Sequence, residues 1–257
     1  MKKINITITG ALGRMGKILI KRISANKNLK LFSLTDLKSE KIINGIKTQK
    51  NNLEAFKKTD VIIDFSKPKA SLEVLNYAKK LKKKIVIGTT GFTKQQNNLI
   101  KNYSKKIAIF KSGNMSLGIN LLEYIVKILS KKMPNDYHIG INDDHHRMKV
   151  DLPSGTALML ANAVSKGKNK NLESIKGKTF LNKKGNLQKN KINFFITRKG
   201  NTIGKHSVLF KNKIENIELK HTAFSRDLFA DGALNAAIWI SKKNKGLFNM
   251  QDMFGLK

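Results

Sequence analysis

The sequence predicts a chain in two parts: a parallel β-sheet covered by helices on both faces, and an α+β unit with a mixed or antiparallel sheet. Three observations carry this. Short apolar strands alternate with amphipathic helices as far as Phe110, a glycine-rich turn, GALGRMG, follows the first strand directly, and the pattern changes after Leu117. Ile4 to Thr9 reads as a buried strand and Lys17 to Asn26 as a helix, with Ile18, Leu19 and Ile23 at helical spacing. Leu29 to Thr35 is a second strand, ending at Asp36. Further strands lie in Asp60 to Phe65 (VIIDF), Ile85 to Gly88 and Ile107 to Phe110, with a helix over Ser71 to Leu81 after Pro68. Such alternation implies βαβ units and a sheet buried on both sides.

Beyond Leu117 an apolar helix to Leu129 leads into a histidine-bearing loop, and a second helix spans Ser154 to Val164. Gly167 to Gly177 is polar and reads as an exposed connection. Ile192 to Thr197, Ser207 to Phe210 and Ile214 to His221 alternate apolar and polar residues between glycine or Asn-Lys turns, the pattern of an antiparallel meander. Ser225 to Ser241 returns to helix through Leu228, Phe229, Ala233, Ala236, Ala237 and Ile240, and the last residues are expected to pack back on the first part. The expected domains are 1–116 with 226–257, and 117–225.

At 257 residues, 40% hydrophobic, the chain has enough material for two cores. No apolar run reaches the roughly 18 to 20 residues of a membrane span, so no membrane partner is expected. MKKINITITG is strand grammar rather than a signal peptide, and the expectation is a mature cytoplasmic protein. The absence of cysteine excludes disulfides, thiolate metal sites and cysteine nucleophiles. A formal charge of +34 raises nucleic-acid binding as an alternative. The excess is nearly all lysine spread along the chain, however, with arginine only at positions 14, 22, 147, 198 and 226. Specific base recognition leans on arginine forks, so a lysine-biased surface is favoured and no specific nucleic-acid partner is expected.

Gly10, Gly13 and Gly16 recur every third residue between a strand and a helix, which suits a tight turn and a close approach of backbone N–H groups to a diphosphate. Leu12 stands where the commoner fingerprint has its middle glycine, so the motif alone is weak. Asp36, at the end of the second strand, can accept hydrogen bonds from both hydroxyls of an adenosine ribose, favouring NADH over NADPH. Lys38 and Arg14 are near enough in sequence to neutralise a 2′-phosphate instead. Gly88-Thr89-Thr90 and Ser112-Gly113-Asn114-Met115 each follow a strand, at the carboxyl edge where such sheets bind ligands.

The densest chemistry lies in DDHHRMKVDLPSGTA, residues 143–157. His145 and Lys149 are four apart, so a helical turn or compact loop can aim both at a substrate. Ser154 can cap a helix whose Gly155 and Thr156 N–H groups would hold a carboxylate. Asp151 reads either as a turn former or as a partner orienting Lys149. A metal on the histidines with Asp143, Asp144 and Asp151 is the rival, but adjacent histidines rarely converge on one ion and no metal is expected. No serine lies in a G-x-S-x-G frame. The two halves together suggest a nicotinamide-dependent reductase acting on a small acid.

GALGRMG, VIIDFSKP, VIGTTGF, SGNMSLGIN, DDHHRMKVDLPSGTA, RKGNTIGKHSVLF and FADGAL occur in the order seen in the dihydrodipicolinate reductase family, also called 4-hydroxy-tetrahydrodipicolinate reductases, and the chain resembles that family over its whole length. The resemblance implies a Rossmann-like nucleotide-binding domain closed by the C-terminal helix, an α+β substrate-binding and oligomerisation domain, a homotetramer, and NADH or NADPH as cofactor. It implies production of tetrahydrodipicolinate in the diaminopimelate route to lysine. By the same resemblance Gly10, Ala11, Leu12, Gly13, Arg14, Met15, Asp36, Gly88, Thr89, Thr90, Ser112, Gly113, Asn114 and Met115 fall where cofactor binds. His145 and Lys149 fall on the proton-donor positions, and His146, Gly155 and Thr156 on substrate contacts. Three residues depart from the family pattern: Asp143 where glutamate is usual, Leu152 where alanine is common, and Leu37 where some relatives carry an arginine suited to NADPH. The implied chemistry is hydride addition at C4 of a cyclic imine dicarboxylate followed by protonation of the resulting enamine by His145 or Lys149. Because the glycine turn and the reactive loop lie in different parts, closure about a hinge is expected.

Overall fold

The computed structural model describes residues 2–37 and 40–256. Lys38, one of the two cations considered for a 2′-phosphate, lies outside the described residues. In chain order the first elements are β1 (Ile4–Thr9), α1 (Arg14–Ser24), β2 (Leu29–Thr35), β3 (Ile42–Ile43), β4 (Ile46–Lys47), α2 (Leu53–Lys57), β5 (Val61–Asp64), α3 (Pro68–Lys80), β6 (Lys84–Ile87), α4 (Lys94–Ser104) and β7 (Ala108–Lys111). Then come α5 (Leu117–Lys132), β8 (His138–His145), α6 (Gly155–Gly167), α7 (Leu172–Ile175), β9 (Lys176–Leu181), β10 (Ile192–Arg198), β11 (Gly204–Lys211) and β12 (Asn216–Ala223). The chain ends with α8 (Asp227–Ile240), β13 (Gly246–Phe248) and α9 (Met250–Phe254). It divides into two compact units, one formed by residues up to Leu117 and from Arg226 onward, the other by Gly118–Ser225. Among the described residues no helix is long and apolar enough to cross a membrane.

The first unit holds a sheet of order β13-β7-β6-β5-β1-β2, every pair parallel. Successive strand residues point to opposite faces, and here both faces are dry. Ile63, Val86 and Phe110 pack with Leu19 and Ile23 of α1 and the alanines of α8. Their neighbours Ile62, Ile85 and Ile109 pack with Phe56, Val74, Leu75 and Ile100 on the other side. The all-apolar runs in the sequence are therefore strands sandwiched between helices. The last residues join this sheet, since β13 pairs with β7. Helix α1 begins at Arg14, three residues earlier than its apolar spacing suggests. Helix α4 lacks that spacing altogether: only Ile100 and Ser104 are buried, and it is started instead by a capping box between Thr93 and Gln96.

The second unit's sheet has the order β12-β11-β8-β10-β9. It is mixed, not the antiparallel meander that the alternation suggested: β8 pairs antiparallel with β11 but parallel with β10, and β10 runs parallel to β9. The reason is β8, HIGINDDH, whose glycine and charges hide its strand character. It enters between β10 and β11 and separates two strands that are consecutive in sequence. The stretch expected as a bare connection, 167–177, contains α7, where Leu172 and Ile175 are buried in the core with Ile141, Leu160 and Phe194.

Candidate active site

In the first unit the strand order reverses direction between β1 and β5, and a crevice at the carboxyl ends of the strands is where open parallel sheets take ligands. A cleft of about 440 Å³ lies there, lined by Thr9, Gly10, Leu12, Gly13, Asp36 and Ser66 among others. Gly10 has φ +72°, and a Cβ on it would sit 2.4 Å from the Phe65 carbonyl oxygen, so only glycine lets the turn lie against β5. Gly13 is the N-cap of α1 and gives no side-chain cap, which leaves the helix start to bind an anion. Asp36 is tied to the same turn, accepting the Leu12 N–H at 2.9 Å. Ala11 is buried, and its N–H bonds to the Thr35 carbonyl at 3.1 Å. Arg14 is exposed at the first position of α1 and Met15 packs against the core. The turn, the uncapped helix start and the carboxylate together fit a dinucleotide.

The remaining cofactor candidates follow β6 and β7 and do not line this cleft. Gly88 N–H bonds to the Asp64 carbonyl at 2.9 Å, Thr89 is buried, and Thr90 is exposed. Ser112 donates to the Asn114 carbonyl at 2.6 Å, Gly113 is exposed, and Met115 is buried.

In the second unit the chemistry gathers on a carboxylate that is wholly buried. Asp143 and His145 are two apart on β8 and so share the sheet face that bears α6. Antiparallel register places His206 of β11 opposite Asp143, and parallel register places Arg198 of β10 opposite His145. Asp143 Oδ1 lies 3.0 Å from His145 Nδ1, 3.2 Å from His206 Nε2 and 2.7 Å from Ser154 Oγ. Its Oδ2 accepts the Ser154 N–H at 2.8 Å and pairs with Arg198 Nη2 at 3.0 Å. The rings of His145 and His206 meet edge to face with centroids 4.9 Å apart. Arg198 also donates to the backbone carbonyls of Asp143 and Asp151, fastening the reactive loop to the sheet.

Burial works to raise the Asp143 pKa, but hydrogen bonds from His145, His206 and Ser154 overcome it and hold the carboxyl well below the ordinary range. Burial pushes His145 down, opposed by Asp143 and reinforced by His206 and Lys149. With Nδ1 on Asp143, the other ring nitrogen is the one left to face a ligand. Gly204 keeps it clear: a Cβ there would stand 3.2 Å from His145 Nε2.

Lys149 lies in the loop after β8, its Nζ 2.7 Å from Asp151 Oδ1, so of the two readings of Asp151 the partner to Lys149 is the one formed. Asp151 is held below its ordinary pKa against the effect of burial, by Lys149 and by backbone N–H groups that include Gly155. The Gly155 amide, expected to meet a substrate carboxylate, thus faces a carboxylate of the chain itself. Ser154 caps α6 by accepting the Ala157 N–H at 3.2 Å, and Thr156 follows Gly155 in the first turn. His146 is half-buried, with its N–H on the Thr202 carbonyl at 2.8 Å.

Asp143, His145 and His206 each offer a ligand atom within 4.8 Å of the others, a grouping able to hold a metal. An ion there would have to displace Arg198 and Ser154 from the carboxylate, and it would sit beside a guanidinium. The metal set weighed from the sequence shares Asp143 and His145 with this group but adds His146, Asp144 and Asp151 and lacks His206. Asp144 neighbours Asp143 on β8 and points to the opposite face.

Comparison with known proteins decides the family. The model of the dihydrodipicolinate reductase N-terminus matches residues 4–115, and that of the C-terminus matches residues 118–254. The chain belongs to the dihydrodipicolinate reductase family. Relatives named 4-hydroxy-tetrahydrodipicolinate reductase include one from Pelagibacter ubique (strain HTCC1062), 52% identical over all of both chains. Another, from Buchnera aphidicola subsp. Cinara cedri, is 47% identical over 98% of this chain and 97% of its own. Among solved structures, a dipicolinate-bound dihydrodipicolinate reductase from Paenisporosarcina sp. TG-14 shares the fold with TM-score 0.80 at 22% identity, covering 98% of this chain and 99% of that one. Of the site residues found here, His206, Arg198 and Gly204 carried no role in the sequence reading. All three lie in RKGNTIGKHSVLF, a family motif whose contribution shows only once the strands are paired.

Proposed function

We propose that this chain reduces 4-hydroxy-tetrahydrodipicolinate, by way of dihydrodipicolinate, to tetrahydrodipicolinate with NAD(P)H, in the diaminopimelate route to lysine. The observation that carries this is the full-length identity to reductases of that name, together with an imidazole held for proton transfer. Bound NAD(P)H supplies the hydride. The glycine turn from Gly10 to Met15, with Asp36, Gly88 to Thr90 and Ser112 to Met115, forms its binding surface in this reading. Asp36 followed by Leu37 favours NADH, because a carboxylate at the ribose repels a 2′-phosphate.

His145 donates the proton that ends the reaction. Asp143 fixes its Nδ1 and so commits Nε2 to the substrate, while burial keeps the free imidazole neutral more readily than an exposed one. The incoming dicarboxylate reverses that bias, since an anion beside the ring stabilises its charged form. Lys149, His146 and the first turn of α6 at Gly155 and Thr156 hold the substrate carboxylates, displacing Asp151 from Lys149. Turnover needs the two units to bring cofactor and reactive loop together, so closure is part of this reading.

A homotetramer and a cytoplasmic location also belong to it. The face of the second sheet that bears His138, Gly140, Asn142 and Leu209 is open over a cleft of about 970 Å³. Light scattering would read four times 28.9 kDa. The function is tested by generating the unstable substrate in situ and following oxidation of NADH and NADPH separately. Substrate-dependent oxidation, faster with NADH, is expected; no oxidation with either would overturn the assignment.

A further inference from the structure

Asp64, at the carboxyl end of β5, is wholly buried, and its side chain plays no part in the chemistry above. Four hydroxyls from four places in the fold surround it. Thr9 of β1 donates to Oδ1 at 2.5 Å and Ser66 at 2.6 Å. Thr89, after β6, donates to Oδ2 at 2.8 Å, and Ser71 of α3 donates to the same oxygen. Among the described residues no lysine, arginine or histidine forms an ion pair with it. A carboxylate offers about four lone-pair sites and no proton, so two hydroxyls on each oxygen saturate it. Each hydroxyl has a single proton, and the shortest contact that each can donate to is Asp64; Ser66 Oγ also lies 3.4 Å from the Lys67 carbonyl and 3.3 Å from Ser71 Oγ, both longer than its 2.6 Å to Asp64.

The consequence is directional. A serine or threonine whose proton is committed to a carboxylate can act toward anything else only as an acceptor. Thr89 does so already, accepting the Ser66 N–H at 2.9 Å. Ser66 is half-buried and lines the cleft beside Gly10 and Asp36, whereas Ser71 is buried and does not line it. We propose that Asp64 is a positioning residue that sets the hydrogen-bond polarity of the cofactor cleft, so that Ser66 presents an acceptor to a hydrogen-bond donor of the bound dinucleotide. That donor is a ribose hydroxyl, the adenine amino group or the carboxamide N–H, not a phosphate oxygen, which would need a donor in return. The proposal rests on the NAD(P)H reading of this cleft.

The test measures NADH dissociation constants by fluorescence on the full-length protein, with melting temperatures of the free protein alongside. Asp64→Asn places an N–H donor where the chain has only acceptors, so hydroxyls must turn over to accept from it. A rise of at least about tenfold in the NADH constant is expected. Ser66→Ala removes the acceptor alone and is expected to raise the constant about fivefold or more. Ser71→Ala, which removes a buried hydroxyl that bonds to Asp64 but does not line the cleft, is expected to leave it within twofold. Asp64→Asn combined with Ser66→Ala should bind no worse than Asp64→Asn, since both act through one contact. Reduced 3-acetylpyridine adenine dinucleotide, which keeps the ribose hydroxyls but has no amide N–H, identifies the donor. If Ser66→Ala costs nothing with this analogue the carboxamide is the partner; if it costs the same, a ribose hydroxyl or the adenine amino group is.

Folded Asp64→Asn or Ser66→Ala protein that binds NADH as tightly as the unaltered chain would overturn the proposal. So would Ser71→Ala weakening binding as much as Ser66→Ala, which would mark a general loss of structure. If Asp64→Asn fails to fold, the two serine variants decide. Failure of the unaltered chain to bind NADH or NADPH would instead overturn the cofactor reading beneath it.

Discussion

The two units each bury an aspartate completely, and the two carboxylates are held in opposite ways. Asp64 is held by four neutral hydroxyls, and among the described residues no cation forms an ion pair with it. Asp143 is held by a guanidinium, two imidazoles and a serine. The first arrangement moves no protons: its partners ionise far outside the physiological range, so it can only fix which way hydroxyls point. The second borders two imidazoles, groups able to take up and release a proton. In the proposed reading the same residue type at the same burial serves recognition in one unit and acid–base chemistry in the other, and its partners decide which.

Removing either carboxylate should separate the two roles. Asp143→Ala leaves Arg198 buried without its counter-charge, for which a loss of about 3–5 kcal/mol of stability is expected. It also frees the His145 ring, and a fall of about 10² or more in kcat is expected, with the NADH dissociation constant unchanged. Denaturant unfolding and steady-state kinetics read the two effects. A smaller loss, about tenfold in kcat, is expected for Gly204→Ala, because its Cβ would crowd His145 Nε2 at 3.2 Å. An unchanged kcat would mean that Nε2 does not face the substrate.

The smallest effect concerns pH. The His145 and His221 pKa values lie below the ordinary histidine value chiefly through burial. A group whose folded pKa is depressed contributes stability that is fully present above its unfolded pKa, about 6.5, and is lost as pH falls through the folded value. Melting temperature is therefore expected to fall on acidification below about pH 6.5, and less steeply in His145→Gln. The same depression places the alkaline limb of kcat/KM below that of kcat, because bound dicarboxylate restores the imidazolium.

The parallel sheet was legible because both its faces are dry, which writes unbroken apolar runs such as VIID and IVI into the chain. The reactive loop was legible because His145, Lys149 and Ser154 are close in sequence. What escaped was register. Arg198 stands 55 residues from Asp143, and His206 stands 52 residues from Ser154, whose Oγ lies 3.3 Å from its Nε2; each sits in a strand whose own pattern says nothing of its neighbour. β8 escaped for a related reason: Gly140, Asn142 and Asp144 face the open side of the sheet, so its apolar alternation is broken by polar residues on both faces. Asp64 was read only as part of an apolar strand, since four hydroxyls scattered from Thr9 to Thr89 leave no local signature.

In the proposed function the first unit binds the cofactor and the second delivers the proton from His145. His145→Ala tests it most directly, with the NADH dissociation constant and substrate-dependent turnover measured on the same preparation. A fall in turnover of about 10²- to 10⁴-fold is expected, with NADH bound as tightly as before. Turnover equal to that of the unaltered chain would contradict it.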